Sequence, residues 1–498
     1  MEQPLYQSSG DAAPPPSENL TSVPEVTVSN SPPPPPPPIS NISSAPSINN
    51  LVSPPPSSKT GKIFMFLGIG LAICLIAALV YSLITKSNPL KTQVVVTYWG
   101  LWEPETVMRN LIIEYEKTHP KVKIAYIQQN ASEYRERLQT KLNQGQGPDI
   151  FRIHNTWVPM FRNYLQSVPA DIYSASDFST TFYPVANKDA RLGANLVAIP
   201  LETDNLVMFT NDTLFSQYSL AIPKNWDELR LAALAIARCS TPEGKCFVGS
   251  RVLTAGVALG STVNVDHWEE ILGLLMLQNN VNLNNPALPQ PQPAQDVINY
   301  FTSFTNQYGV WEPNLPTSTM LFASGKLGIM FAPSWRALDI MAANPDLKFS
   351  THPVPQTPID PTKQETPIAY ATYWLEGVNS KSKSSAEAWA FLKFITSSEN
   401  QQKLYSAIVA EKRPFGEPYS RVDLSGQIIN APYIGATIQQ LPYSTSWYLA
   451  SFTHDGPTGI NTRLSEFYAK LIAGQEQMAG SGVVIAKILG DYGLAVGP

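Results

Sequence analysis

Residues suited to metal or thiol chemistry are scarce in this chain. Its 498 residues include three cysteines and five histidines, the latter scattered at positions 119, 154, 267, 352 and 454. No HExxH, GxSxG or P-loop pattern occurs, so zincin, nucleophile-elbow and Walker-type chemistries have no support in the sequence. Basic blocks are missing as well. The net charge is −5 and Lys and Arg are dispersed, which argues against a nucleic-acid partner.

The first 58 residues lack almost any aromatic or clustered aliphatic residue. They carry four acids (Glu2, Asp11, Glu18 and Glu25) and no base before Lys59, and half of them are Pro or Ser. Such a stretch cannot bury enough apolar area to offset the entropy of ordering, so a disordered tail is expected over 1–62, with a polyproline II rod at Pro32–Pro38. A solvated spacer is the simplest role for it; a proline-binding partner is the alternative.

Charge is then absent altogether from Ile63 to Ile84, IFMFLGIGLAICLIAALVYSLI. As a helix this run is ~33 Å long, enough to cross a bilayer core. It exceeds a signal-peptide apolar region, and no convincing small-x-small cleavage site comes after it, so it reads as an uncleaved single-pass anchor. Cys74 lies in LAIC, only loosely a lipobox, and lipidation is not expected there. Lysines flank the span on both sides (Lys59, Lys62, Lys86 and Lys91), so charge alone does not orient it. The linker 85–92 spans at most ~25 Å and holds the C-terminal domain against the membrane.

From Gln93 the pattern becomes compact. VVVTYW (Val94–Trp99), VKIAYIQQ (Val122–Gln129) and DIFRI (Asp149–Ile153) read as strands, separated by helical periodicity at Glu105–His119 and Ser132–Asn143. This βαβαβ opening implies a parallel sheet, and ligands of such sheets sit beyond the carboxyl ends of strands. Gly100–Glu103 and His154–Trp157 are thereby placed in a crevice. Farther on, Leu196–Pro200, Asn205–Asn211 and Lys326–Phe331 read as strands, as does the apolar run IAYATYWLEGV. Trp226–Arg238, Val297–Tyr308, Thr319–Ser324, Ser384–Ser397 and Ser398–Ala410 read as helices, Gln278–Gln295 as a loop, and Arg421–Gly490 as mostly helical. Cys239 and Cys246 bracket STPEGK, whose Pro and Gly let the chain double back. A disulfide there implies an oxidising compartment; two reduced thiols near a helix end are the alternative.

Several ordered motifs carry a resemblance: the strand ending in YW, GQGPDIF (Gly145–Phe151), AIPLETDNLVMFTNDTLF (Ala198–Phe215) with PKNWDEL (Pro223–Leu229), FASGKLGIMFAPSW (Phe322–Trp335) and GVNSKSKSSAEAWAFLKFI (Gly377–Ile395). Over Gln93–Gly490 the chain resembles the extracellular solute-binding proteins of carbohydrate ABC importers, the group that includes maltose-binding protein. The resemblance implies two α/β lobes that close on ligand by a hinge motion. Residues 93–201 and 377–411 then form one lobe, and 206–368 and 416–498 the other, with crossings near Leu201–Asn205, Ala369–Glu376 and Glu411–Phe415.

Sugar recognition needs flat apolar faces for ring C–H groups and planar polar groups for hydroxyls. The resemblance assigns stacking positions to Trp335 and to Trp447 with Tyr448, and a hydroxyl-binding carboxylate to Asp204. Predicted strand ends and crossing loops add Trp102, Glu103, Trp157, Tyr373 and Trp374, with His154 and Asn155 in the loop after GPDIF. Asn155 and Thr156 stand where the maltose-binding pattern has an Asp and an Arg, a departure that speaks against maltose itself. Arg336 and Arg413 are within reach of the cleft or of the surface.

The reading that results is a membrane-anchored, monomeric ectodomain without catalytic residues, metal or cofactor. It captures a carbohydrate, an oligosaccharide by preference, for an ABC permease, with the C-terminal domain extracellular and the tail cytoplasmic. A sensory or adhesive sugar-binding ectodomain is the alternative. A glycoside hydrolase would require two carboxylates at a defined separation.

Overall fold

The computed structural model describes residues 93–357, 366–448, 453 and 455–494. The tail 1–62, the apolar span Ile63–Ile84, the linker 85–92 and His454 lie outside the described residues. Among those described, no helix is long and apolar enough to cross a membrane.

In chain order the strands are β1 (Val94–Gly100), β2 (Val122–Gln128), β3 (Ile150–His154), β4 (Arg191–Leu192), β5 (Asn195–Leu196), β6 (Ala198–Pro200) and β7 (Leu206–Asn211). Next come β8 (Arg238–Cys239), β9 (Val252–Val257), β10 (Leu327–Pro333), β11 (Phe349–His352), β12 (Ala369–Tyr370), β13 (Trp374–Val378) and β14 (Ser444–Thr445). β4 pairs with β5 and β12 with β14, while the other ten build two five-stranded sheets, each the centre of an α/β lobe. The first has the order β2-β1-β3-β13-β6 and the second β11-β7-β10-β9-β8. β1 runs parallel to both β2 and β3, as the βαβαβ opening requires, while β13 joins antiparallel to β3 and β6. The central strands β3, β7 and β10 are buried along their whole length, consistent with helices covering both faces.

One buried residue of β3 is Arg152, and burial obliges it to find partners. Its guanidinium meets Glu103 (Nη1–Oε2 2.9 Å, Nη2–Oε1 3.0 Å) and Glu376 of β13 (Nε–Oε1 2.6 Å). All three side chains are at most 1% exposed. The loop that delivers Glu103 is shaped by Gly100. A Cβ there would lie 2.3 Å from the hydroxyl of Tyr126, which donates to the Glu103 carbonyl at 2.7 Å.

The chain leaves the first sheet at β6 and enters the second at β7 through 201–205. Along this crossing Asn205 bridges Ala371, and Glu202 bridges Tyr419. Thr203 N–H donates to the Pro418 carbonyl at 3.2 Å, and Thr372 N–H to the Asp204 carbonyl at 3.1 Å. Glu411–Phe415 directly follows the helix Ser398–Ala410, and after it Pro418 and Tyr419 pair with the first crossing.

IAYATYWLEGV, read as one strand, is broken into β12 and β13. β12 pairs with β14 and β13 with the first sheet, and an apolar run does not reveal where it changes partner. The loop read through Gln295 ends earlier, because the helix Gln292–Asn306 starts with Pro293 in its first turn, where a missing N–H costs nothing. The helix Trp226–Ile236 enters as PKN suggested: Asn225 accepts from Glu228 N–H at 2.9 Å while Glu228 accepts from Lys224 N–H at 2.7 Å.

Cys239 and Cys246 are joined in a disulfide across a sequence separation of 7. Constraining so short a loop in the unfolded chain is worth ~2 kcal/mol. Replacing both cysteines by serine is expected to lower the unfolding free energy by about that amount in urea titrations; an unchanged midpoint would contradict this.

Candidate functional site

Adjacent register of β1 and β3 (Trp99 beside Phe151) brings together the loops leaving their carboxyl ends. There Trp102 and Trp374, both half-buried, meet edge to face at 5.6 Å. Trp374 also stands perpendicular to His154 (5.2 Å) and Trp157 (5.4 Å). Trp157 is 2% exposed, stacked on Phe161, and its indole Nε1 is buried with no hydrogen-bond partner among the described residues. Four of the expected residues thus form one cluster on the first lobe. Glu103 is not available to a ligand in the way expected: both its oxygens engage Arg152 inside that lobe.

A polar strip leads from this cluster to the second lobe. His154 Nδ1 is 2.8 Å from Thr156 Oγ1, and Nε2 is 3.1 Å from Thr372 Oγ1. Thr372 donates to Glu270 Oε1 at 2.7 Å, and Glu270 Oε2 pairs closely with His267 Nδ1. His267 Nε2 lies 3.1 Å from Arg336 Nη2, whose Nη1 reaches Asp339 at 2.8 Å. Arg336 spreads its guanidinium over Trp335 at 4.2 Å, and His267 meets the same half-buried indole at 6.0 Å.

Donor logic sets the direction of this chain. Thr156 N–H points at His154 Nδ1 (3.4 Å), which marks that nitrogen as an acceptor, so the Thr156 hydroxyl, itself accepting from Asn461 Nδ2–H at 3.0 Å, donates onward to it. His154 Nε2–H in turn donates to Thr372, which donates to the Glu270 carboxylate. The chain requires a neutral imidazole, and burial pushes His154 down to about 3. Burial also pushes Glu270 up, but His267 beside it and the hydrogen bonds from His267 and Thr372 outweigh that and hold it below the usual carboxylate value. Its neighbour Glu269 is pushed up to about 8, chiefly by burial and further by Glu270.

A second strip starts at Asn155. Its amide donates to Asp189 Oδ2 at 2.9 Å, and the same carboxylate accepts from Tyr373 Oη (3.1 Å) and Ser446 Oγ (2.6 Å). Burial raises the Asp189 pKa despite Lys188 and these donors. Next to Ser446 stand Trp447 and Tyr448, half-buried and 6.3 Å apart, with Trp447 Nε1 donating to Asn284 at 3.0 Å. Neither Trp335 nor Trp447 is sunk in a lobe interior.

Asp204 has a different place from the one expected of a hydroxyl-binding carboxylate. It accepts from Asn205 N–H (2.7 Å), Ser334 Oγ–H (2.9 Å) and Thr437 Oγ–H (3.1 Å), and burial pushes it up to about 6. Both oxygens are engaged in fastening the crossing to the second lobe. Asp189, His267, Glu269, Glu270, Thr372 and Asn461 were not found in the sequence. They come from four separate segments, and only HWEE at 267–270, acids opening an apolar helix, was a visible signal.

Comparison with known proteins agrees with this architecture. The model of a family described as bacterial extracellular solute-binding protein matches residues 110–411, more than half of the chain. A maltotriose-binding protein of Pyrococcus abyssi is 23% identical over 318 residues, covering 60% of this chain and 62% of its own length. The matched stretch is thus under two thirds of that relative. Among solved structures, a cyclo/maltodextrin-binding protein complexed with maltotetraose superposes with a TM-score of 0.58 at 15% identity, covering 80% of this chain and 96% of the other. A cyclic alpha-maltosyl-1,6-maltose binding protein from Arthrobacter globiformis gives 0.58 at 16% identity over 80% and 99%. At such identities the likeness establishes the fold.

Proposed function

Because this chain belongs to the bacterial extracellular solute-binding proteins, we propose that it captures a carbohydrate, an oligosaccharide by preference, between its lobes and delivers it to the permease of an ABC importer. The observation that carries the reading is the seam itself. Half-buried aromatic faces from both lobes (Trp102 and Trp374; Trp335; Trp447 and Tyr448) border strips of oriented hydrogen-bonding groups that include His154, Asn155 and Tyr373. Apolar faces beside planar polar groups suit sugar rings, whose C–H and O–H surfaces alternate. The sugars named for the similar proteins point to the same ligand class.

In this reading Ile63–Ile84 anchors the chain, the C-terminal domain is extracellular and the tail cytoplasmic. A short tether keeps the binder at an effective concentration on the order of mM beside a permease. The protein acts by binding and release, as a monomer, without chemistry on the sugar.

The test is thermal melting of the full chain in detergent with maltotriose, maltotetraose, mannobiose and mannotriose. A sugar at ~100 times its dissociation constant adds about 2.7 kcal/mol and raises the melting temperature by a few degrees. Trp335→Ala is expected to abolish most of that rise. Unshifted curves across the panel would reject the proposal, and release of shorter sugars would replace it with a hydrolase.

A further inference from the structure

Two buried polar groups at the seam have no hydrogen-bond partner among the described residues, and they are of opposite kind. Trp157 Nε1, on the first lobe, can only donate. Glu269 Oε2, at the start of the helix Trp268–Gln278 on the second, can accept once the carboxyl is ionised, which burial delays to about pH 8. The other oxygen of Glu269 already takes a hydrogen bond from Ser465 Oγ at 3.2 Å.

A short path of contacts joins the two. Trp157 follows Thr156, whose hydroxyl holds Asn461 Nδ2 at 3.0 Å. Asn461 and Ser465 stand four residues apart on the helix Ile460–Ile472, on the same face and ~6 Å apart along the axis. The Glu269 carboxylate therefore lies within about one helical turn of the residue that precedes Trp157, and Glu270, its neighbour, is two hydrogen bonds from His154. An unmade hydrogen bond on a buried group is costly, and a buried donor on one lobe with a buried acceptor on the other, linked by this short path, is the complement of a hydroxyl.

We propose that Trp157 and Glu269 grip a single hydroxyl of the captured sugar from opposite lobes, so that this one position decides which sugars close the cleft. The inference rests on the carbohydrate-binding reading above. A hydroxyl accepts from Trp157 while donating to Glu269. A fluoro substituent keeps only the acceptor half, and a deoxy position keeps neither.

The experiment is calorimetric titration of the full chain in detergent, buffered near pH 9 so that Glu269 is ionised, with whichever of maltotriose, maltotetraose, mannobiose or mannotriose gives the largest melting shift. Its monodeoxy and monodeoxyfluoro analogues are titrated in parallel. At one position of the sugar, affinity is expected to fall from hydroxyl to fluoro to deoxy, by about tenfold or more overall. In Glu269→Leu and Trp157→Phe the parent sugar weakens by a similar factor and the preference at that position collapses. Unliganded melting of both variants reports whether they fold, and the analogue series on the unaltered protein does not depend on them. If a sugar binds but no position shows this order, or both variants retain it, the pair is overturned while sugar capture stands. If none of the four sugars binds, both fall.

Discussion

Replacing Arg152 by methionine is expected to cost about 3–5 kcal/mol of folding free energy, the largest single effect foreseen for this protein. Arg152 sits in the central strand β3 with its guanidinium between Glu103 and Glu376, all three removed from water. Burial raises the Glu376 pKa, and the attraction of Arg152 works against that rise. Without the guanidinium, two carboxylates are left buried side by side with nothing to offset their desolvation. Arg152→Lys is expected to recover only part of the loss, because an ammonium cannot present the fork that reaches both partners. Removing all three charges together, with methionine at 152 and leucine at 103 and 376, is expected to restore most of the stability, since packing replaces paired charge at little net cost. Urea unfolding followed by tryptophan fluorescence gives the three values. A loss below about 1 kcal/mol for Arg152→Met would show that water reaches the cluster.

The second large effect is a pH dependence carried by His154. Its pKa is about 3 in the folded protein, against an ordinary value of 6.5. Between those values the unfolded chain binds a proton that the folded chain refuses. Stability contributed by this residue is therefore present above pH 6.5 and lost as pH falls, by about 1.4 kcal/mol per unit, or roughly 2.7 kcal/mol at pH 4.5. The cause is burial, which disfavours the charged imidazolium, with His267 adding to it and Glu270 working against it. Glu269 works in the opposite sense. With a folded value of about 8 against 4.5, it contributes stability below pH 4.5 that is lost as pH rises toward 8. The two slopes oppose each other between pH 4.5 and 6.5. The measurement is thus the difference between the unaltered protein and His154→Gln, taken by urea unfolding at several pH values. That difference should shrink steadily as pH falls from 6.5 to 4.5, about a pH-independent offset for the lost hydrogen bonds. Parallel curves would rule the mechanism out.

Much of the aromatic cluster on the first lobe was legible because it depends on local chain order. A parallel βαβ opening places the loops after β1 and β3 side by side whatever the rest of the chain does, so Trp102, His154 and Trp157 could be assigned from the strand pattern alone. The partners of Glu103 and Asp204 could not. Each looked free in the sequence, and each is taken by a residue more than 45 positions away, Arg152 in one case and Ser334 and Thr437 in the other. Carboxylates near a cleft are read as ligands until the interior is known to hold an uncompensated guanidinium or a set of orphan donors.

By itself the sequence determined that a strand starts near Val94, which of the main runs are helix and strand, that the opening sheet is parallel, and that Cys239 and Cys246 are close enough to bond. All of these stem from periodicity, composition and short separations. Tertiary structure decided which polar groups are left for a ligand. Hydrogen-bond capacity is a property of packed surroundings, and the seam is assembled from segments as distant as Thr156 and Asn461, whose meeting no local pattern encodes.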